Sequence, residues 1–290
     1  MRVNQISLGT AQFGSNYGIT NKKKVSFSDI KKILNFAYKN GIRFIDTAHI
    51  YGDAEKRLGK IGIKNWKVSS KFPSIPKNTN ITNWIENKFF KSLKRLDLSL
   101  IQSLFVHDSE QLKSYRLSKE IFHTLEKFQK DGYIKKIGVS TYNPKIIKKI
   151  SADFKIDIAQ APANIFDSRI FSNDIQKDMK KKKIELEIRS IFLQGLILED
   201  IDRIPDKFLK FKSYFSKIDN FSKKHNFTKT SIALSFLNNK RFNRLVVGTT
   251  SVRELKDIIN SNKQKKKIKI NMKLNNKKFL INPNLWNKNK

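Results

Sequence analysis

Residues 42–52 of the chain read Ile-Arg-Phe-Ile-Asp-Thr-Ala-His-Ile-Tyr-Gly, and this stretch decides the predicted fold. A short apolar run ends at Asp46, and Tyr51 follows just beyond it in a turn that Gly52 closes. Parallel barrels present reactive groups in this way, because their strands end at one face and the loops there carry polar side chains. We therefore expect residues 42–52 to form a strand and a loop at the mouth of a barrel.

The rest of the chain alternates short apolar runs with longer amphipathic stretches, which predicts βαβ units around a parallel sheet. Typical start and stop residues flank the stretches, such as a Ser28 cap and a Gly41 stop for the first long helix. The predicted strands cover residues 5–9, 44–47, 68–72, 98–106, 134–139, 157–161, 186–192 and 244–247. Eight strand–helix alternations without an internal linker predict a single-domain α/β protein, a (β/α)8 TIM barrel.

The predicted domain organisation is a barrel over residues 1–261 and a basic, Lys/Asn-rich tail over residues 262–290. We expect the start of the tail to be mobile and its apolar residues to dock partly on the barrel: Leu274, Phe279, Leu280, Ile281, Leu285 and Trp286. Residues 281–286 could fold back over the mouth, but packing against the outside of the barrel is the favoured prediction.

Composition limits the class of protein. The 290 residues are 39% hydrophobic, which is enough for a large core. No run approaches the ~18 uncharged apolar residues of a membrane helix, and the N-terminus lacks the apolar stretch of a signal peptide. The absence of cysteine excludes disulfides, thiolate metal sites and a cysteine nucleophile. We expect a cytoplasmic protein with no membrane contact and no metal site.

The net charge is +35, from 60 basic and 25 acidic residues. A nucleic-acid-binding patch is one explanation, and a codon bias toward Lys, Asn, Ile and Phe is the other. The lysines are spread along the whole chain, largely on predicted outer helices, which favours the codon bias. No specific nucleic-acid partner is expected, although a positive surface would attract anionic ligands.

Four polar residues fall at or just beyond the ends of consecutive predicted strands: Asp46, Tyr51, Lys71 and His107. A nearby ammonium lowers the pKa of a phenol, a buried carboxylate holds the ammonium, and a histidine can orient a carbonyl group. Such a set suits proton delivery to an oxygen that becomes negative as hydride reaches the carbon. Each residue alone also has a structural explanation: a helix cap, a rim residue, one lysine among many, or a structural histidine.

The sequence resembles the aldo-keto reductases from Leu8 to about Asn260. The resemblance rests on residues 44–52, 69–72 (Ser-Ser-Lys-Phe), 106–107 (Val-His), 138–143 (Gly-Val-Ser-Thr-Tyr-Asn), Gln160, 194–196 (Gln-Gly-Leu) and 247–251 (Val-Gly-Thr-Thr-Ser). It implies a barrel without a Rossmann domain that binds NADP(H) across its mouth, with NAD(H) not excluded. By position it implies that Tyr51 is the general acid, that Lys71 lowers its pKa, that Asp46 holds Lys71, and that His107 orients the carbonyl.

The resemblance also implies cofactor contacts. Ser140 and Gln160 match positions that hold the nicotinamide carboxamide. Gly248, Thr249, Ser251 and Arg253 match the segment that clamps the adenosine phosphates, where a helix N-terminus favours anions. Alternatively, Gly248 only ends a strand and Arg253 is an exposed helix charge.

The sequence departs from the family pattern at two places. The asparagine that commonly follows the strand-five serine is Thr141 here. The aromatic residue that often stacks on the nicotinamide is Arg189, followed by Ser190. A guanidinium can stack on a ring or bind a phosphate, so both residues are kept as candidate cofactor contacts.

The leading hypothesis is an NADP-dependent oxidoreductase that reduces an aldehyde or ketone, with sugar-derived carbonyls among the candidates. The alternative is a catalytically weak, nucleotide-binding regulatory barrel. Nucleic-acid binding ranks last because no recognition motif accompanies the charge. The expected partner is a small carbonyl substrate, and the expected state is a monomer or a weak homo-oligomer.

Overall fold

A computed structural model of the chain describes residues 1–19, 23–264, 268 and 277–286. Eight parallel strands close into a barrel in chain order, and β8 pairs with β1. The strands are β1 Ile6–Gly9, β2 Phe44–Asp46, β3 Lys67–Phe72, β4 Ile101–Val106, β5 Ile134–Ser140, β6 Ile158–Pro162, β7 Glu185–Arg189 and β8 Arg244–Gly248. The predicted single-domain (β/α)8 barrel is confirmed.

Helices follow the strands and cover the outside of the barrel. They are α1 Ala11–Gly14, α2 Phe27–Lys39, α3 Ala54–Ile61, α4 Ile81–Leu96, α5 Tyr115–Lys130, α6 Lys145–Asp153, α7 Asn173–Lys181, α8 Lys212–His225, α9 Lys229–Ser235, α10 Val252–Gln264 and α11 Lys278–Ile281. Within the described ranges, none of these helices is long and apolar enough to cross a membrane.

The first long helix shows how the sequence sets these elements. α2 buries the apolar stripe Ile30, Ile33, Leu34 and Ala37 against the barrel. Its N-cap is Ser26 and not the predicted Ser28, because the Ser26 hydroxyl accepts a hydrogen bond from the backbone N–H of Asp29. At the other end Gly41 has φ +84°, a conformation that glycine adopts at little cost.

Two predicted strands are too long. β4 begins at Ile101 and not at residue 98, because Asp97 ends α4 in the left-handed conformation and the chain must turn first. β7 ends at Arg189 and not at residue 192, because Ser190 and Leu193 have φ values of +61° and +50°. Extended backbone cannot continue through such residues, so Arg189 lies at the strand end.

The C-terminal segment lies at the barrel mouth. Residues 282–285 line the mouth cavity, so the prediction of outside packing is wrong. Leu280, Ile281 and Trp286 are nearly fully buried, and the ring of Trp286 packs on Phe208 with centroids 5.0 Å apart. These apolar anchors hold the segment against the loop before α8. The predicted mobile start of the tail and the docking of Leu274 lie outside the described residues.

Candidate active site at the barrel mouth

The C-terminal strand ends and their loops enclose a cavity of about 1830 Å³. Asp46, Tyr51 and His107 line it, as the sequence predicts, while Lys71 lies beneath them and is 1% exposed. Predicted cofactor contacts also line the cavity: Ser140, Gln160, Arg189, Ser190 and Gly248. Small-molecule pockets are usually roughly 300–1,000 Å³, so this cavity has room for an extended dinucleotide beside a small substrate.

Lys71 and Asp46 form a buried ion pair across the β2–β3 edge. The Lys71 Nζ donates to both carboxylate oxygens of Asp46, at 2.6 and 2.7 Å, and to the Thr47 carbonyl at 2.9 Å. An ammonium has three N–H donors, and these acceptors match all three. Lys71 is therefore held charged and fixed in place, and its charge is balanced by Asp46.

Tyr51 lies in the loop after β2, where two glycines allow close backbone contact. A Cβ atom on Gly14 would lie 1.8 Å from the Tyr51 carbonyl oxygen, and one on Gly52 would lie 2.2 Å from the Gly14 carbonyl oxygen. Only glycine fits at either position. The backbone contact with α1 thus fixes the loop and directs the Tyr51 side chain into the mouth.

The charges around Tyr51 differ from the sequence prediction. Burial raises the pKa of the Tyr51 hydroxyl above its ordinary value, and the negative charge of Asp46 raises it further. Arg189 is the nearby cation that lowers the pKa. Lys71 was expected to lower it; its ammonium lies 5.3 Å from the Tyr51 ring centroid and binds Asp46, and its effect on Tyr51 stays a prediction. The phenol therefore carries its proton.

His107 packs its ring edge against the ring of Tyr51, with centroids 6.0 Å apart. Burial lowers the pKa of His107 to about 3, and the positive charges of Lys71 and Arg189 contribute. The imidazole is therefore neutral near pH 7. A neutral imidazole can donate one N–H to a carbonyl oxygen and accept a proton at its other nitrogen.

Gln160 connects the ion pair to a second buried acid that sequence reasoning missed. Its amide nitrogen donates to Asp46 Oδ1 at 2.8 Å and to Glu187 Oε1 at 2.6 Å, and its oxygen accepts from Ser140 at 3.3 Å. Glu187 also accepts from Arg244 at 3.2 Å. The available signal was the pattern Glu185-Leu-Glu187 in a buried strand. Both N–H donors of Gln160 are used, so only its oxygen, which has a second lone pair beside the bond from Ser140, could bind a carboxamide, and that role stays a prediction.

Arg189 points its guanidinium at the ring of Tyr142, 4.0 Å from the centroid. It donates to the Thr141 carbonyl and to the Ser190 hydroxyl, both at 3.4 Å. Within the described part of the chain it has no acidic partner at ion-pair distance. An uncompensated cation thus lies at the mouth, close enough to act on Tyr51 and His107.

The predicted phosphate segment is only partly at the cavity. Gly248 lines it, whereas Thr249 is buried and Arg253 is exposed on the first turn of α10. Thr250, which lies within the predicted stretch 248–251, and Glu254, which the sequence did not single out, line the cavity instead. The Glu254 carboxylate accepts from the Thr250 N–H at 2.7 Å and from the Thr250 hydroxyl at 2.8 Å. In the described ranges, no cluster of three or more His, Asp or Glu side chains could hold a metal ion.

Comparison with known proteins gives consistent matches. The model of the Aldo/keto reductase family matches residues 5–276. Glyoxal reductase of Bacillus subtilis (strain 168) is 31% identical over 172 residues, which is 57% of this chain and 58% of that protein. L-galactose dehydrogenase of Arabidopsis thaliana is 24% identical over 279 residues, 89% of this chain and 83% of that protein.

Solved structures match the fold over most of the chain. The holo form of an aldo-keto reductase from Bacillus halodurans superposes with a TM-score of 0.69 at 14% identity and covers 91% of each chain. At this identity the likeness shows the fold alone. The match to glyoxal reductase spans little more than half of that protein's length, so its activity does not transfer without further argument.

Proposed function

The chain belongs to the aldo/keto reductase family, and from that premise we propose that it reduces an aldehyde or ketone to an alcohol with a nicotinamide dinucleotide. Membership makes the protein an oxidoreductase that acts on carbonyl compounds. The proposal assigns the proton donor, the cofactor contacts and the kind of substrate.

One observation carries the proposal. A protonated phenol, a neutral imidazole and a buried ammonium–carboxylate pair meet at one cavity, in Tyr51, His107 and Lys71–Asp46. Tyr51 gives its proton to the substrate oxygen as that oxygen gains negative charge, and the neutral His107 donates an N–H that orients it. The phenolate that forms on Tyr51 is stabilised by the nearby cation Arg189.

The cofactor supplies the hydride when it is bound. The residues present fit such a group, because the cavity continues from the catalytic residues past Ser140 and Arg189 to Gly248 and Thr250. Ser140 and the oxygen of Gln160 would hold the carboxamide, and Arg189 with Ser190 would lie at the nicotinamide end. The segment from Gly248 to Ser251 would face the adenosine end, with Arg253 exposed outside the cavity. The resemblance predicts NADP(H), with NAD(H) as the alternative, and the two cofactors differ at that adenosine end.

The substrate we propose is a small polar carbonyl compound, with sugar-derived aldehydes and ketones in the class. The names of two relatives support this, because one is a glyoxal reductase and the other an L-galactose dehydrogenase. Polar side chains of the mouth, including Ser74, Asn143 and Asn284, provide hydrogen bonds for hydroxyl groups.

The test is reduction of a carbonyl panel, followed as the loss of 340 nm absorbance with NADH or NADPH. We expect turnover of small polar aldehydes and a loss of roughly 100- to 10,000-fold in Tyr51→Phe, the usual contribution of a positioned general acid. Cofactor binding without turnover of any carbonyl would favour the alternative, a regulatory barrel. Equal rates for the wild type and Tyr51→Phe would remove Tyr51 from its role.

A further inference from the structure

The segment expected to face the adenosine end of the cofactor already holds a carboxylate. Glu254 on α10 accepts hydrogen bonds from the Thr250 N–H and the Thr250 hydroxyl at 2.7 and 2.8 Å, while the Thr249 hydroxyl donates to the Ser251 carbonyl at 2.9 Å. Both Thr250 and Glu254 line the cavity. We propose that Glu254 makes this site select NAD(H) over NADP(H), an inference that rests on the proposed function.

The hydrogen-bond donors at the start of α10 already have partners within the protein. A 2′-phosphate carries between one and two negative charges at neutral pH and needs N–H or O–H donors or cations around it. The Thr250 N–H and hydroxyl are directed at Glu254 instead, and the Thr249 hydroxyl donates to the Ser251 carbonyl. The N-terminal end of the helix favours an anion, and the Glu254 carboxylate fills that place.

The negative charge of Glu254 is the second feature that disfavours a 2′-phosphate. In the part of the chain that the structure describes, no Lys or Arg lies within ion-pair distance of Glu254. Arg253 is exposed on the same turn and does not line the cavity. A 2′-phosphate would therefore meet an unbalanced negative charge, and like charges at close range repel each other.

The ribose of NAD(H) has a free 2′-hydroxyl, which the Glu254 carboxylate can bind. A carboxylate has about four acceptor positions, and the two bonds from Thr250 leave positions free for another donor. A free 2′-hydroxyl can donate to one of these positions, as a ribose hydroxyl does to an acidic residue in other NAD-binding folds. The same carboxylate that repels a 2′-phosphate thus binds a 2′-hydroxyl.

A purely structural role would use some of the same contacts. The Ser251 hydroxyl accepts from the Glu254 N–H at 3.1 Å, so Ser251 and Glu254 resemble a helix capping box. Glu254→Gln separates the two roles, because its amide oxygen can still accept from the Thr250 N–H and its NH2 group can donate to the Thr250 hydroxyl oxygen, while the side chain carries no charge. A role in capping alone predicts no change in cofactor preference.

The experiment is equilibrium titration of the full chain with NADH and with NADPH at fixed ionic strength, followed by quenching of tryptophan fluorescence. We expect the wild type to bind NADH at least tenfold more tightly than NADPH. Glu254→Gln should reduce this ratio by about tenfold, mainly through tighter NADPH binding. Glu110→Gln is the matched control, since Glu110 also lines the cavity but pairs with Lys113 at 2.6 Å. It should leave the ratio unchanged.

The outcomes are distinguishable. Binding of both dinucleotides with no preference for NADH, or an unchanged ratio in Glu254→Gln, would overturn the role of Glu254 and leave the proposed function intact. Failure of both dinucleotides to bind would overturn the proposed function and the inference together. If the preference for NADH over NADPH weakens as the salt concentration is raised, this would support electrostatic repulsion between Glu254 and the 2′-phosphate.

Discussion

Lys71 donates to both carboxylate oxygens of Asp46, and the two side chains are only 1% and 4% exposed. Burial of an ion pair is tolerated when its geometry is good and its remaining N–H donors have acceptors. Here the third N–H of Lys71 donates to the Thr47 carbonyl. The pair is thus a structural unit under the mouth, and the charge of its Asp46 carboxylate raises the pKa of the Tyr51 hydroxyl.

Lys71→Met should destabilise the protein strongly, because it leaves the Asp46 carboxylate buried with Gln160 as its remaining side-chain donor. Loss of one partner of a buried pair costs about 3–5 kcal/mol in the free energy of unfolding. Adding Asp46→Asn removes the unpaired charge, so the double variant should be less destabilised than the sum of the two single variants. Urea unfolding followed by circular dichroism measures the coupling. Strict additivity would show that the two groups do not interact.

Glu187→Gln should change how stability depends on pH. Burial raises the pKa of Glu187, and the charge of Asp46 raises it further, so the folded protein holds this proton above the pH at which the unfolded chain releases it. The contribution of Glu187 to the free energy of unfolding therefore falls as the pH rises from the pKa of glutamate in the unfolded chain to the raised pKa in the folded protein. The variant should gain stability relative to the wild type between pH 5 and pH 8, measured by urea unfolding. Exposed Glu110→Gln is the control, and an equal difference at both pH values would contradict the expectation.

His107→Gln should reduce the acid sensitivity of the fold. The pKa of His107 is lowered to about 3, chiefly by burial, so between that pH and about 6.5 the unfolded chain binds a proton that the folded protein does not. Stability therefore falls as the pH falls, by about 2 kcal/mol at pH 5 for one such group. Unfolding at pH 7.5 and pH 5 measures the effect against exposed His123→Gln. The same loss in wild type and His107→Gln would show that His107 titrates normally.

Much of the architecture follows from local pattern. The alternation of short apolar runs and amphipathic stretches predicts the barrel, and strand ends in a closed barrel must meet, which brings Asp46 and His107 to one mouth. The ends of β4 and β7 could not be predicted, since they depend on left-handed residues such as Asp97 and Ser190. Sequence spacing gives no indication that those residues leave the extended region.

The pKa shifts and the partners of the acidic residues could not be predicted from the sequence either, because they depend on how charges are arranged in three dimensions. The sequence did not indicate that Asp46 raises the pKa of Tyr51 or that Arg189 lowers it, and the role of Lys71 in lowering that pKa stays a prediction. Glu187 and Glu254 were missed, since an acid in a strand or a first helical turn is ordinary until its partners are known. The position of residues 282–285 depends on long-range contacts that no local pattern encodes.

Gly14→Ala should impair the site through the backbone of the Tyr51 loop. The added Cβ would lie 1.8 Å from the Tyr51 carbonyl oxygen, so the loop must move. We expect a fall in reductase rate of at least tenfold, since small misplacements at a reacting centre are costly. Gly41→Ala is the control, because Gly41 has φ +84° but open space around its Cα, and it should cost only about 1 kcal/mol of stability. Equal reductase rates in the two variants would show that the close contact between Gly14 and the Tyr51 backbone does not position Tyr51 for catalysis.

Trp286→Ala should open the mouth without unfolding the barrel. The Trp286 ring packs on Phe208, its Nε1 donates to the Phe279 carbonyl at 2.7 Å, and its own carbonyl accepts from Lys207 at 3.3 Å. Removing the ring deletes one of the three apolar anchors of residues 278–286, so the end of this segment should detach locally while the strands stay paired. Because residues 282–285 line the cavity, the KM for the carbonyl substrate should rise about tenfold with a smaller change in kcat. Limited proteolysis should cleave the variant in this segment first. Trp84→Ala on α4, outside the barrel, is the control, and an unchanged KM in Trp286→Ala would show that the segment does not contribute to substrate binding.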